Sequence, residues 1–446
     1  MRQNVTHQPN HLMLFDLEIG GHHAGYIRHL LHYASRSCVR CSSKRDSVPF
    51  PTSLRPKEGC GYSASDNIEK ISVVVSPEFL RKHLDVVNDT TSAANIEWVA
   101  ISEAELNWYH LNLGSLAKRA WAEWRLFCDY AKNLRVNHAL IMYVDRFQLP
   151  LALQLPAPCD LSGIYFRPTF HYNHFPSYQP SFGDRVRAWR QALLWRLACR
   201  HPRLKVLFSL DPLAVEPLQR LGRTKVVHLP DPVECYGQET ASRTTNKLRD
   251  ELGIESGRRV FLLFGMLDER KGIYQLLDAI THLPVSKLTQ FSLLLVGPLA
   301  QADEPPIKAK MASISRSGAV QIILHNQFIT DEQIQPYFKL ADVILAPYQR
   351  HVGMSAILVR AAAAGKPLLA SDYGLMGELV RKRSLGMTVD STQASEIAKG
   401  VSAFLAGEPR EMFDSESAAQ FARENEAERF ARVVWGNLVL DEDIGT

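Results

Sequence analysis

The sequence predicts an α/β protein of two Rossmann-like domains, and three observations carry that prediction. Short apolar runs recur in both halves of the chain, among them His11–Asp16, Ile71–Val75, Phe291–Gly297 and Val320–His325. Runs of this length, bounded by Gly, Pro and Asn, read as buried strands. The stretches between them have helical spacing, and strands that alternate with helices form a parallel sheet whose ligands gather outside its carboxyl ends. At 446 residues the chain is also long for one hydrophobic core, which favours at least two.

Composition narrows the function classes. Lys and Arg total 51 against 47 Asp and Glu, a formal charge of +4, which argues against a dedicated nucleic-acid binder and leaves room for anionic substrates. Seven cysteines, an odd number without a disulfide framework, point to a reducing compartment. The first residues are polar, and no apolar run approaches the ~18 residues of a membrane span. A cytoplasmic protein is expected, with peripheral contact at the cytoplasmic membrane face as a second reading.

In chain order, the first strand at His11–Asp16 leads through Gly20-Gly21 into a helix over Gly25–Ala34, whose Ile27, Leu30, Leu31 and Ala34 share one face. His22, His23, His29 and His32 crowd this region, and without a third firm ligand they read as surface and cleft residues rather than a metal site. Residues 35–70 are rich in Ser, Arg and Pro and read as a disordered insert. Strands follow at Ile71–Val75, Ile96–Ile101 and Ala139–Val144, with a helix over Leu116–Leu134. Asp145 stands at the end of its strand and is a candidate catalytic group, with capping of the next helix as the alternative. Ser162–Phe166 opens into the most aromatic and His-rich loop of the chain, 167–175, where Arg167 and His171 are the remaining catalytic candidates. The basic segment 184–203 does not separate its arginines cleanly from Trp189 on a helical wheel, so it is expected to be a core helix with snorkelling arginines. Pro230, Pro232 and the polar run 237–246 mark the hinge.

The second half is more specific. Strand Arg259–Phe264 ends in Gly265-x-Leu267-x-x-x-Lys271-Gly272, and strand Phe291–Val296 carries Leu294-Leu295-Val296-Gly297. A run from Tyr337 through Ala341-Asp342-Val343 to Pro347 comes next, then Ala361-x-Ala363-x-Gly365-x-Pro367, then Gly374 and Gly377-Glu378. These pieces, in this order, resemble the donor domain of a GT-B glycosyltransferase, in particular glycosyltransferase family 4.

The resemblance implies two domains facing a cleft: residues 1–230 for the acceptor, 231–415 for a nucleotide-sugar donor, and a C-terminal helix within 416–446 crossing back towards the first domain. It implies transfer of a hexosyl group to a glycan or lipid-linked acceptor, with retention and with neither metal nor cofactor. The donor would be held by Gly20 and Gly21, by Arg270 and Lys271, by Gly353 and Ser355 at the start of the alanine-rich helix, and by Arg360 and Glu378. Two family positions depart from the pattern. The two glutamates, with seven residues between them, that frame the donor loop fall at Val352 and Arg360, and the Arg that follows the first loop glycine is Met266. A catalytically degenerate relative acting as a binding or scaffold protein is therefore the alternative.

Overall fold

The computed structural model describes residues 10–20, 22–42, 68–91, 95–233, 241–316, 318–407 and 412–438. Seven strands form the first sheet: β1 (His11–Phe15), β2 (Lys70–Val75), β3 (Ile96–Ala100), β4 (His138–Ile141), β5 (Asp160–Tyr165), β6 (Leu204–Ser209) and β7 (Lys225–His228). They lie in the order β3-β2-β1-β4-β5-β6-β7, every pair parallel. Six more form the second: β8 (Arg259–Phe264), β9 (Phe291–Val296), β10 (Gln321–His325), β11 (Val343–Ala346), β12 (Leu368–Ser371) and β13 (Gly386–Val389), ordered β10-β9-β8-β11-β12-β13 and again parallel. Central strands such as β1 and β9 are buried along their whole length because helices cover both faces of each sheet, which is why they read as continuous apolar runs. In both sheets the order reverses beside the first strand, and crevices for ligands form at such points.

The chain divides into two compact units. One contains the first sheet, and the other contains Tyr172–Ser181 together with Asp231–Glu426. Part of the aromatic loop thus groups with the second unit, where Tyr178 packs 5.2 Å from Tyr373. The C-terminal segment is two helices rather than one. Ser415–Glu424 stays in the second unit, with Arg383 paired to Glu424 at 2.8 Å. Ala427–Trp435 belongs to the first unit, where Trp435 Nε1 donates to the Leu30 carbonyl at 3.1 Å. The break between them falls at Asn425, whose buried side-chain oxygen accepts from the Asp231 N–H at 3.0 Å.

Two expectations need correction. The first helix runs His23–Ser42, eight residues past Ala34, because no Gly or Pro stands between Ala34 and Pro49 to stop it. Residues 35–42 are therefore not part of an unstructured insert, and 43–67 lie outside the described residues. The basic helix, Phe182–Ala198, is not a core helix either. Only Ala188, Trp195 and Ala198 are buried, while Trp189 is 68% exposed. The helix has two apolar sides, and a wheel cannot tell which one faces the sheet.

Candidate active site

In the second unit the site grows from the turn after β8. Asp268 accepts the Lys271 N–H at 3.0 Å and so winds Glu269–Lys271 into a single 3-10 turn. Gly272 ends it with φ +76°, and a β-carbon there would stand 2.1 Å from the Pro347 carbonyl oxygen. Both the left-handed backbone and the close approach demand glycine. Gly272→Ala is expected to cost about 1–2 kcal/mol from the backbone conformation alone. That would lower the unfolding midpoint of the second unit by roughly 2–8 °C in a calorimetric scan.

This turn directs the Lys271 side chain inward. The residue is 8% exposed. Its Nζ donates to the Phe264 carbonyl at 3.1 Å and to the Tyr348 hydroxyl, and lies 4.2 Å from the centre of the Tyr348 ring. A β-carbon on Gly265 would sit 3.2 Å from the same ammonium. A buried cation thus stands at the carboxyl end of β8 with a carbonyl and a phenol around it and, among the described residues, no carboxylate paired to it. Arg270 remains half exposed, 5.9 Å from the Tyr348 ring. Met266, at the position of the family's Arg, is 48% exposed and offers no charge.

The loop after β11 fastens to this turn. The Gln349 N–H donates to the Arg270 carbonyl at 2.9 Å, and the Gln349 side chain donates to the Ser391 carbonyl at 2.8 Å. His351 Nε2 lies 3.2 Å from the Met354 carbonyl. The Val352 carbonyl accepts from Leu375 N at 3.2 Å, where Gly374 lets the next helix approach. Gly353 and Ser355 lead into the helix Ala356–Ala363, with Ser355 at its N-cap.

The other expected donor contacts are engaged elsewhere. Arg360 donates to Asp331 at 2.7 Å, and Glu378 pairs with Arg381 at 2.5 Å on its own helix. Gly20 belongs to the first unit and has no atom within 4 Å of where a β-carbon would stand, so no contact requires glycine there. Gly21 lies outside the described residues.

In the first unit, polar groups gather past β1, β4, β5 and β6. Asp16 follows β1 and is buried; its carboxylate accepts the Glu18 N–H at 2.9 Å and meets His23 Nδ1 at 2.7 Å. The His23 ring stacks on Phe166 at 5.5 Å and meets Tyr143 edge-on at 5.7 Å. Burial alone would lower the His23 pKa, but the Asp16 charge and hydrogen bond outweigh it and raise it above the ordinary value. Among the described residues the His23 Nε2 makes no hydrogen bond. Sequence reading took His23 for a surface or cleft residue, whereas the structure makes it the partner of a buried carboxylate. The one available signal was an Asp and a His at opposite ends of the first loop.

Asp145 caps no helix. Its two oxygens accept the Phe166 and Arg167 N–H groups at 2.9 and 3.1 Å, and burial pushes its pKa up to about 6. It holds the turn that carries Phe166 against His23. Asp145→Ala would strand the half-buried Phe166 N–H at about 1–3 kcal/mol, while the exposed Arg167 N–H turns to water, an expected loss that urea unfolding of the full chain would register. Arg167 is exposed on this turn. His171 is buried and gives its Nε2 to Asp211 at 2.8 Å.

A second buried network borders Asp16. Glu123, pushed up to about 7 by burial, bonds Tyr109 and Arg146, and Arg119 reaches Glu18 at 2.9 Å.

With both rims described, comparison with known proteins adds a family. Residues 244–426 match the family model of glycosyl transferases group 1. The match lies within the second unit. Within the matched residues lie Lys271, Tyr348 and the loop to Ser355. Over 193 residues the chain is 26% identical to the lipopolysaccharide 1,2-N-acetylglucosaminetransferase of Salmonella typhimurium, which is 42% of this chain and 50% of that enzyme. The match thus spans half the length of that relative. Two solved structures extend the likeness beyond the group 1 domain to nearly the whole chain. The N-terminal domain of trehalose-6-phosphate phosphatase from Candida albicans superposes with a TM-score of 0.62 at 11% identity, covering 96% of both chains. HepE from Anabaena, solved with UDP, gives 0.58 at 15%, covering 95% of this chain and 98% of its own. At such identities the likeness establishes the fold, and the chain has the GT-B fold.

Proposed function

We infer that the chain is a glycosyltransferase that takes a sugar from a nucleotide-sugar bound by the group 1 domain and passes it to a glycan or lipid-linked acceptor bound by the first unit. The observation that carries this reading is the Lys271 ammonium, buried at the carboxyl end of β8 with, among the described residues, only neutral hydrogen-bond partners. A desolvated cation is costly unless an anion completes its surroundings, and a diphosphate supplies one. Lys271 would neutralise the leaving group as the glycosidic bond breaks, which leaves no role that requires a metal. Retention at the anomeric carbon and action at the cytoplasmic membrane face are the finer parts of the reading.

In the first unit, His23 is assigned the proton of the acceptor hydroxyl. Asp16 fixes its Nδ1 and leaves Nε2 to face the ligand, the division of labour that a positioned acid or base requires. Arg167 suits a phosphate on the acceptor.

A binding protein without turnover is the second reading, favoured by one observation. Arg360, at the position of a family glutamate, is committed to Asp331, and Val352 at the other offers no polar side chain. Calorimetric titration with a panel of nucleotides and nucleotide-sugars, followed by product analysis, separates the two. Binding with release of free nucleotide supports the transferase, binding without it supports the second reading, and binding of none contradicts both.

A further inference from the structure

The solvent face of the helix Phe182–Ala198 is unlike that of an ordinary surface helix. Phe182, Val186, Trp189, Leu193 and Leu197 are all exposed, Phe182 by 83%. Their spacing of i, i+4, i+7, i+11 and i+15 puts them in one stripe. The stripe lies opposite the buried Ala188, Trp195 and Ala198, the last two of which join the core of the first unit. Leu153, 55% exposed at the C-cap of the helix Gln148–Ala152, extends it, since Gln154 donates to the Leu197 carbonyl at 2.9 Å. Among the described residues nothing covers this stripe, and a continuous apolar strip of this length on a helix marks an interaction surface.

The charges around it identify the occupant. Arg185 and Arg196 flank the stripe on one side and Arg190 on the other, and among the described residues none of the three has an ion-pair partner. The helix has a single acidic residue, Asp184, which pairs with Arg187 at 2.9 Å. A second copy of this chain docked through the same face about a two-fold axis would bring arginine rows against arginine rows. An apolar ridge between two cationic flanks suits a bilayer surface, where the ridge enters the acyl boundary and the guanidinium groups meet anionic headgroups.

We propose that the helix Phe182–Ala198 docks the protein in-plane on an anionic lipid surface, with Trp189 and Leu193 buried in the interface and Arg185, Arg190 and Arg196 on lipid phosphates. This stands independently of the transferase reading, because no residue of either rim takes part. The helix joins parallel strands β5 and β6 and so runs antiparallel to them. Its Phe182 end therefore lies at the carboxyl rim that bears Arg167, and docking would set that rim beside the lipid plane.

The test is co-sedimentation of the full chain with vesicles of mixed phosphatidylglycerol and phosphatidylcholine, against vesicles of phosphatidylcholine alone. Binding is expected to the anionic vesicles and to fall with added salt. Trp189→Glu/Leu193→Glu should abolish it, and Arg185→Gln/Arg190→Gln/Arg196→Gln should weaken it on the order of a hundredfold, about fivefold per charge near the surface. All five positions are exposed, so thermal unfolding of both variants should match the parent. No sedimentation with anionic vesicles would overturn the proposal, and so would undiminished binding by either variant. A dimer in sedimentation velocity that Trp189→Glu/Leu193→Glu dissolves, without vesicle binding, would replace it with self-association, and capture of an acidic protein without vesicle binding would likewise overturn it.

Discussion

Replacing Lys271 with Ala is expected to weaken nucleotide-sugar binding by roughly 10- to 150-fold, the worth of one hydrogen bond to a charged group at about 1.5–3 kcal/mol. The side chain is enclosed, so bulk water does not screen its interaction with phosphate as it would at the surface. Substitution also leaves the Phe264 carbonyl without its donor, and the fold is therefore checked separately by thermal unfolding. Tyr348→Phe provides the second arm. It removes the phenol that Nζ contacts while keeping the ring beneath it, and it should leave affinity within a few-fold of the parent. Equal losses in both variants would mean that packing, not charge, was removed.

His23→Ala should lower turnover by about 100- to 10,000-fold with little change in donor affinity, the usual contribution of a positioned proton-transfer group. Its pH dependence has a definite sign. His23 must be neutral to accept a proton, so activity should fall as pH drops through its raised pKa. Asp16→Asn removes the charge that raises it, and the acid limb of the rate profile should move to lower pH. An acid limb that stays in place, or turnover unaffected by His23→Ala, would remove His23 from the reaction.

Why these two residues were unequally legible is a matter of geometry. Lys271 sits in a contiguous stretch, Gly265–Gly272, where the chain itself carries the motif. The backbone that buries it is set by a short-range cap and one left-handed glycine. His23 acquires its partner from across a loop and its stacking from Phe166, 143 residues away, a juxtaposition that only the parallel order β2-β1-β4-β5 creates. The strands were readable for the same local reason, down to the five pieces of the second unit. β13 was not, because four residues that begin with Gly386 give no period to recognise. Arg360 was placed correctly on its helix, but its partner Asp331 is on another element. The two-sided helix Phe182–Ala198 shows the limit most clearly, since periodicity finds apolar faces and only packing decides which of them is buried.

On the proposed function, the enclosed ammonium of Lys271 receives the diphosphate of a nucleotide-sugar. A crystal structure of the full chain with a bound nucleotide-sugar tests it most directly. Diphosphate oxygens are expected within hydrogen-bonding distance of Lys271 Nζ, beside the turn 265–272. A diphosphate seated away from that turn, with Nζ still held only by Phe264 and Tyr348, would contradict it.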